Sequence, residues 1–98
     1  MGPRMRRARA NIFQDLGFDP EESENLRLRA DLMIEMSKLI DSKGWTQEEA
    51  AEIMRVSQPR ISDLVRGKID RFSIDSLVSM LGSAGIKVSV TTTVRNVA

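Results

Sequence analysis

The chain has 98 residues, of which 41% are hydrophobic and 30% charged, and its net charge at pH 7 is +1. These proportions are typical of one small water-soluble domain, and they exclude a largely disordered or membrane-embedded chain. The sequence contains no His, Cys or Tyr, which removes imidazole and thiolate metal ligands, thiol nucleophiles and disulfides. We therefore expect no enzyme activity, no cofactor and no metal site. The absence of a long apolar run predicts a cytoplasmic protein without a signal peptide.

The chain begins with a basic segment. Residues 1–10 carry four arginines and no acidic residue, a pattern compatible with an arm that follows a DNA groove or with a solvated end. Residues 11–18 resemble a short extended segment that Gly17 closes. We accordingly divide the chain into a basic tail with an extended segment (1–18), a helical domain (19–85) and a C-terminal strand with a tail (86–98).

Four helices are predicted within the helical domain. Asp19-Pro20 begins the first helix, which ends at Gly44. The capping box Thr46-Gln47-Glu48-Glu49 begins the second helix, and Ser57-Gln58-Pro59 begins the third, which ends at Gly67. Ser73 caps the fourth helix, which ends at Gly82. Each helix repeats apolar residues every three or four positions, and we expect the methionines within these stripes to lie in the core: Met33, Met36, Met54 and Met80.

The period changes to two near the end of the chain, which predicts a β-strand. The residues expected on one face of this strand are Ile86, Val88, Val90, Thr92 and Val94. A single strand leaves its own backbone groups unpaired. Its partner would be the segment around Ile12 and Phe13, a second copy of the chain or the sheet of another protein.

The second and third helices have the layout of a helix-turn-helix, in which the second helix of the pair enters the DNA major groove. Ala51 lies where the two helices would cross, and Ile61 and Leu64 would fill the crossing. The third helix then exposes Gln58, Arg60, Ser62 and Asp63. Glutamine and arginine pair with base edges, and a helix N-terminus offers free amides to phosphate. The basic residues that follow are expected to contact the phosphate backbone: Arg66, Lys68 and Arg71.

The helix-turn-helix region resembles the XRE family of phage-repressor-like DNA-binding domains. The resemblance lies in three stretches: Trp45-Thr46-Gln47-Glu48-Glu49-Ala50-Ala51, Val56-Ser57-Gln58-Pro59-Arg60-Ile61-Ser62-Asp63-Leu64 and Arg66-Gly67-Lys68. The resemblance implies a mostly helical, lambda-repressor-like fold that binds a palindromic operator as a homodimer. It assigns base contacts to Gln58, Pro59, Arg60 and Ser62 and a phosphate contact to Gln47. We add Asp63 to the base contacts, and Thr46 and Ser57 to the phosphate contacts.

The flanking stretches resemble a narrower group. The chain is similar here to short XRE antitoxins paired with RelE-like or HigB-like toxins, in Asn11-Ile12-Phe13 to Gly17, Arg71-Phe72-Ser73-Ile74, Leu81 to Gly85 and the C-terminal strand. This similarity implies a bacterial antitoxin that represses its own operon. Two alternatives remain: a stand-alone XRE regulator, and a protein-interaction module whose helix-turn-helix is a scaffold and whose C-terminal strand adds to a partner's sheet.

One position departs from the XRE pattern, because the turn usually has glycine where this chain has Arg55. If the backbone is left-handed there, a residue with a Cβ bears a cost on the order of 1 kcal/mol. The alternative is a reshaped turn with a different angle between the two helices.

Overall fold

The computed structural model describes Gly17 and residues 19–94. These residues form four α-helices and one short 3₁₀ helix. The helices are α1 (Pro20–Lys43), α2 (Gln47–Met54), α3 (Gln58–Val65) and α4 (Ile74–Ser83), and the 3₁₀ helix is Ile69–Arg71. The mostly helical prediction and the order of the four helices are confirmed. The 3₁₀ helix was not predicted.

Local side-chain caps explain where three of the helices begin. At the start of α1, the amide of Glu22 donates to the Asp19 carboxylate at 2.8 Å. At the start of α2, the Thr46 amide donates to the Glu49 carboxylate at 2.8 Å, and the Glu49 amide donates to the Thr46 hydroxyl at 3.1 Å. At the start of α4, the Ser73 amide donates to the Ser76 hydroxyl and the Ser76 amide donates to the Ser73 hydroxyl, each at 3.1 Å. These caps confirm the predicted starts.

The core lies between α1 and the helices α3 and α4, with α2 closing it on a further side. α1 packs against α4, α3 and the 3₁₀ helix, and α2 packs against both α3 and α4. The four methionines predicted for the core are all buried, whereas Leu28 on α1 is 40% exposed. Phe72 is buried between the 3₁₀ helix and α4, and Trp45 packs on the edge of the core. This arrangement leaves the first turn of α3 at the surface of a rigid helical unit.

Residues 86–94 contain no strand, so the predicted C-terminal strand is not found in the described part of this single chain. The Ile86 amide donates to the Leu81 carbonyl at 2.9 Å, and Val88 packs against the core. Beyond this point the chain is exposed, with Val90 at 82% and Val94 at 97%. A strand requires a hydrogen-bonded neighbour, and no other extended segment is present among the described residues. The proposed partner around Ile12 and Phe13 lies outside them.

Candidate nucleic-acid interface

The three residues Arg55, Val56 and Ser57 connect α2 to α3. Ala51 on α2 and Ile61 and Leu64 on α3 are all buried at the contact between the two helices. The short alanine side chain leaves room for Ile61 and Leu64 at this contact. The predicted packing of this helix pair is therefore confirmed.

The turn between α2 and α3 is left-handed at Arg55. Its backbone has φ 60° and ψ 44°, and it is the only non-glycine residue with a positive φ in the described part of the chain. The Arg55 amide donates to the carbonyls of Ala51 and Glu52, which ends α2. The chain thus keeps the turn geometry that glycine ordinarily provides and bears its steric cost.

The first turn of α3 lies at the surface of this helix pair. Ser57, Gln58 and Pro59 are exposed, while Ser62 is half-buried. In contrast to the other helices, α3 has no side-chain cap, because the Ser57 hydroxyl makes no capping bond. The prediction that Ser57 caps α3 is therefore wrong, although α3 does begin at the next residue. The Ser57 hydroxyl and the Gln58 amide are left available to an anionic acceptor, whereas Pro59 has no N–H and the Arg60 amide donates to the Ser57 carbonyl at 3.1 Å.

Two other predicted base contacts are already bonded within the protein. The Cζ atom of Arg60 lies 4.3 Å from the centroid of the Phe72 ring, and its Nη1 donates to the Arg71 carbonyl at 2.8 Å. The carboxylate of Asp63 accepts from Nη1 of Arg71 at 3.1 Å. Base reading by Arg60 and Asp63 stays a prediction, but in this conformation both side chains turn toward the segment between α3 and α4.

The predicted phosphate contacts lie on three segments of the chain. Gln47 is exposed at the first position of α2, whereas the Thr46 hydroxyl is engaged in the capping box. Arg66 is exposed directly after α3, Lys68 precedes the 3₁₀ helix, and Arg71 is the last residue of that helix. Among these residues, the structure brings Arg71 into contact with Arg60 and Asp63 of α3.

Sequence reasoning missed Arg29 on α1. Its Nη1 donates to the carbonyls of Ile69 and Phe72, each at 3.2 Å, and its Nε donates to the Asn25 side chain at 2.7 Å. Arg29 therefore holds the segment that carries Lys68 and Arg71. No local signal identifies it, because its two carbonyl partners lie 40 and 43 residues away in the sequence.

Comparison with known protein families agrees with this geometry. The family model described as a helix-turn-helix domain matches residues 12–93, well over half of the chain. The chain belongs to the helix-turn-helix domain family. No curated protein matches it. In a helix-turn-helix domain the second helix of the pair is the recognition helix, and here that helix is α3.

In the range 19–94, no helix is both long and apolar enough to cross a membrane. The same residues contain no group of three or more Asp or Glu side chains that could hold a metal ion.

Proposed function

We propose that this chain is a sequence-specific DNA-binding transcriptional repressor. The observation that carries the proposal is the first turn of α3, whose polar residues are exposed and uncapped while Ile61 and Leu64 anchor the same helix in the core. A helix fixed on one face presents the other in a constant orientation, as base readout requires. Family membership in the helix-turn-helix group supports the same function.

Base contacts are assigned by exposure and chemistry. Gln58 is exposed at the first position of α3, and glutamine pairs bidentately with adenine. Pro59 beside it offers an apolar surface that suits a thymine methyl group, and Ser62 follows one turn later. Ser57, Arg66 and Lys68 lie at or just beyond the two ends of the recognition helix, and Gln47 is exposed at the start of α2. These four residues would contact phosphates.

We further propose that the repressor acts as a homodimer on a palindromic operator. Repressors of this kind place two recognition helices roughly 34 Å apart, one turn of DNA. Residues 87–94 support pairing with a second copy, because their backbone groups make no hydrogen bonds to the described residues and their β-branched side chains are mostly exposed. If this segment pairs antiparallel with the same segment of a second copy, the backbone N–H and C=O groups of both copies are hydrogen-bonded. The two copies are then related by a two-fold axis.

The finer assignment is an antitoxin that represses its own operon, with a RelE-like or HigB-like toxin as partner. It is supported by the resemblance to XRE antitoxins and by the exposed C-terminal segment, which offers unpaired backbone to another protein's sheet. Co-expression with the product of the adjacent gene tests it. Capture of that product by the full chain, and loss of capture when residues 86–98 are removed, is the expected result.

The experiment for DNA binding begins with selection of binding sites from a random duplex library. We expect a palindromic consensus and a Kd for it that is at least about a thousand-fold lower than that for random duplex. Gln58→Ala should then relax the preference at one base pair in each half-site. Glu48→Ala, a change at an exposed residue of α2, serves as the control and should leave the consensus intact. Enrichment of no sequence by the wild-type chain would refute the proposal.

A further inference from the structure

The segment between the recognition helix and α4 is held by arginine side chains from two directions. Arg29 reaches from α1 to the carbonyls of Ile69 and Phe72, and Arg60 reaches from α3 to the carbonyl of Arg71. Hydrogen bonds from a charged donor are about twice as strong as neutral ones. Three carbonyls of four consecutive residues are fixed in this way, so the backbone of Arg71 has a set position relative to α3.

The side chain of Arg71 is held by the same face of α3. Arg60 and Asp63 are three residues apart on this helix and therefore lie on one side of it. Arg60 binds the carbonyl of Arg71, and the Asp63 carboxylate binds its guanidinium at 3.1 Å. The Arg71 side chain nevertheless remains 54% exposed, while that of Asp63 is only 21% exposed. A guanidinium has five N–H donors, so the donors that Asp63 does not use remain open to a further acceptor.

From this arrangement we infer that Asp63 is a positioning residue that controls the DNA contact of Arg71, and that Arg60 positions the backbone of the same residue. The inference rests on the proposed DNA-binding function. Asp63 competes with the phosphates of unrelated DNA for the Arg71 guanidinium, and a partly exposed ion pair is weak enough for this competition. At the operator, base contacts fix the register and place a phosphate against the remaining donors. Asp63 thus raises specificity by weakening the wrong complexes.

The test uses the operator selected by the wild-type chain and a pool of random-sequence duplex. We expect Asp63→Asn to strengthen binding to random duplex several-fold and to lower the ratio of operator to random affinity about ten-fold. Asp70→Asn is the matched control, because Asp70 is exposed, adjoins Arg71, and forms no ion pair with the described residues. It removes the same charge and should change both affinities alike, which leaves the ratio within about two-fold.

A double-mutant cycle separates action through Arg71 from direct contact with DNA. In an Arg71→Ala background, Asp63→Asn should leave the affinity ratio within about two-fold. The inference is overturned if Asp63→Asn alters the ratio equally in both backgrounds, or no more than Asp70→Asn does. Failure of the wild-type chain to prefer any sequence would instead contradict the proposed function, so the two failures are distinguishable.

Site selection repeated with Arg60→Met tests the role of Arg60. Methionine keeps an apolar and sulfur contact with the Phe72 ring but provides no donor for the Arg71 carbonyl. We expect weaker operator binding with an unchanged consensus. Loss of preference at a base pair would show that Arg60 reads bases, and it would overturn the positioning role assigned to it.

Discussion

Replacement of Arg55 by glycine should stabilise this domain. Arg55 holds φ 60° and ψ 44°, and its side chain is exposed and makes no hydrogen bond or ion pair with the described residues. A residue with a Cβ bears about 1–2 kcal/mol in this conformation. Glycine removes that cost but loses about 0.5–1 kcal/mol more conformational entropy on folding. The expected net gain in the free energy of unfolding is therefore about 0.5–1 kcal/mol.

Urea unfolding followed by circular dichroism measures this gain, as a higher midpoint with an unchanged m-value. In a domain of this size, the thermal midpoint should rise by about 2–8 °C. Arg55→Ala is the matched control, because it removes the same guanidinium but keeps the Cβ, and it should not stabilise. Gly44→Ala is the reverse experiment. Gly44 has φ 67° with no atom within 4 Å of an added Cβ, so only the backbone opposes the change, and we expect a loss of about 1 kcal/mol.

Equal stability of the Arg55→Gly and Arg55→Ala variants would refute this reasoning, because the backbone strain at Arg55 would then only offset the extra conformational entropy that glycine loses on folding. Operator affinity gives a second readout. Since glycine keeps the left-handed turn, the angle between α2 and α3 is retained and the Kd should stay within about two-fold. A large loss of affinity would show that the Arg55 side chain itself contacts DNA.

Three further predictions concern binding, assembly and capping. Arg66→Ala and Lys68→Ala should each weaken operator and random duplex alike and reduce the salt slope of log K by about 0.9 per lost phosphate contact; an unchanged slope in the double variant removes both residues from the interface. Removal of residues 86–98 should shift the sedimentation of the chain from dimer to monomer and weaken operator binding, while the helical circular dichroism persists; a stable dimer with normal operator affinity would contradict the pairing role of this segment. Thr46→Ala should cost about 1 kcal/mol of unfolding free energy through loss of the α2 cap, as urea titration measures, whereas Thr91→Ala, in the exposed extended segment, should cost almost nothing.

The features that were predictable from the sequence depend on residues close together in the chain. The caps at Asp19, Thr46 and Ser73 involve partners three residues away, so their spacing is visible in the sequence. The helix-turn-helix itself followed from these caps and from the apolar spacing within α2 and α3. The left-handed turn at Arg55 was left open, because a non-glycine residue is compatible with either geometry.

The predictions that failed or were missed depend on partners that a single sequence does not specify. The alternation of apolar and polar side chains from Ile86 onward indicates a preference for extended backbone. Such a segment becomes a strand only when a neighbouring segment forms hydrogen bonds with it. The contacts of Arg60 and Arg29 join residues 11 to 43 positions apart. Exposure of Arg60 was inferred from its place on α3, yet the Phe72 ring, buried by α4 packing, gives its guanidinium a surface to lie on.

The two bonds from Arg29 bear on how the domain acquires its structure and on how its parts are exchanged by engineering. Formation of the segment beside the recognition helix requires closure of a loop of about 40 residues, so we expect this segment to become ordered late, after α1 has docked. A chimera that transfers only residues 46–67 to another scaffold would carry the proposed base-reading turn of α3 without Arg29, which holds the segment beside it. A graft of residues 20–84 would keep the first turn of α3 together with Arg29. We therefore expect the graft of residues 46–67, and not the graft of residues 20–84, to lose DNA affinity.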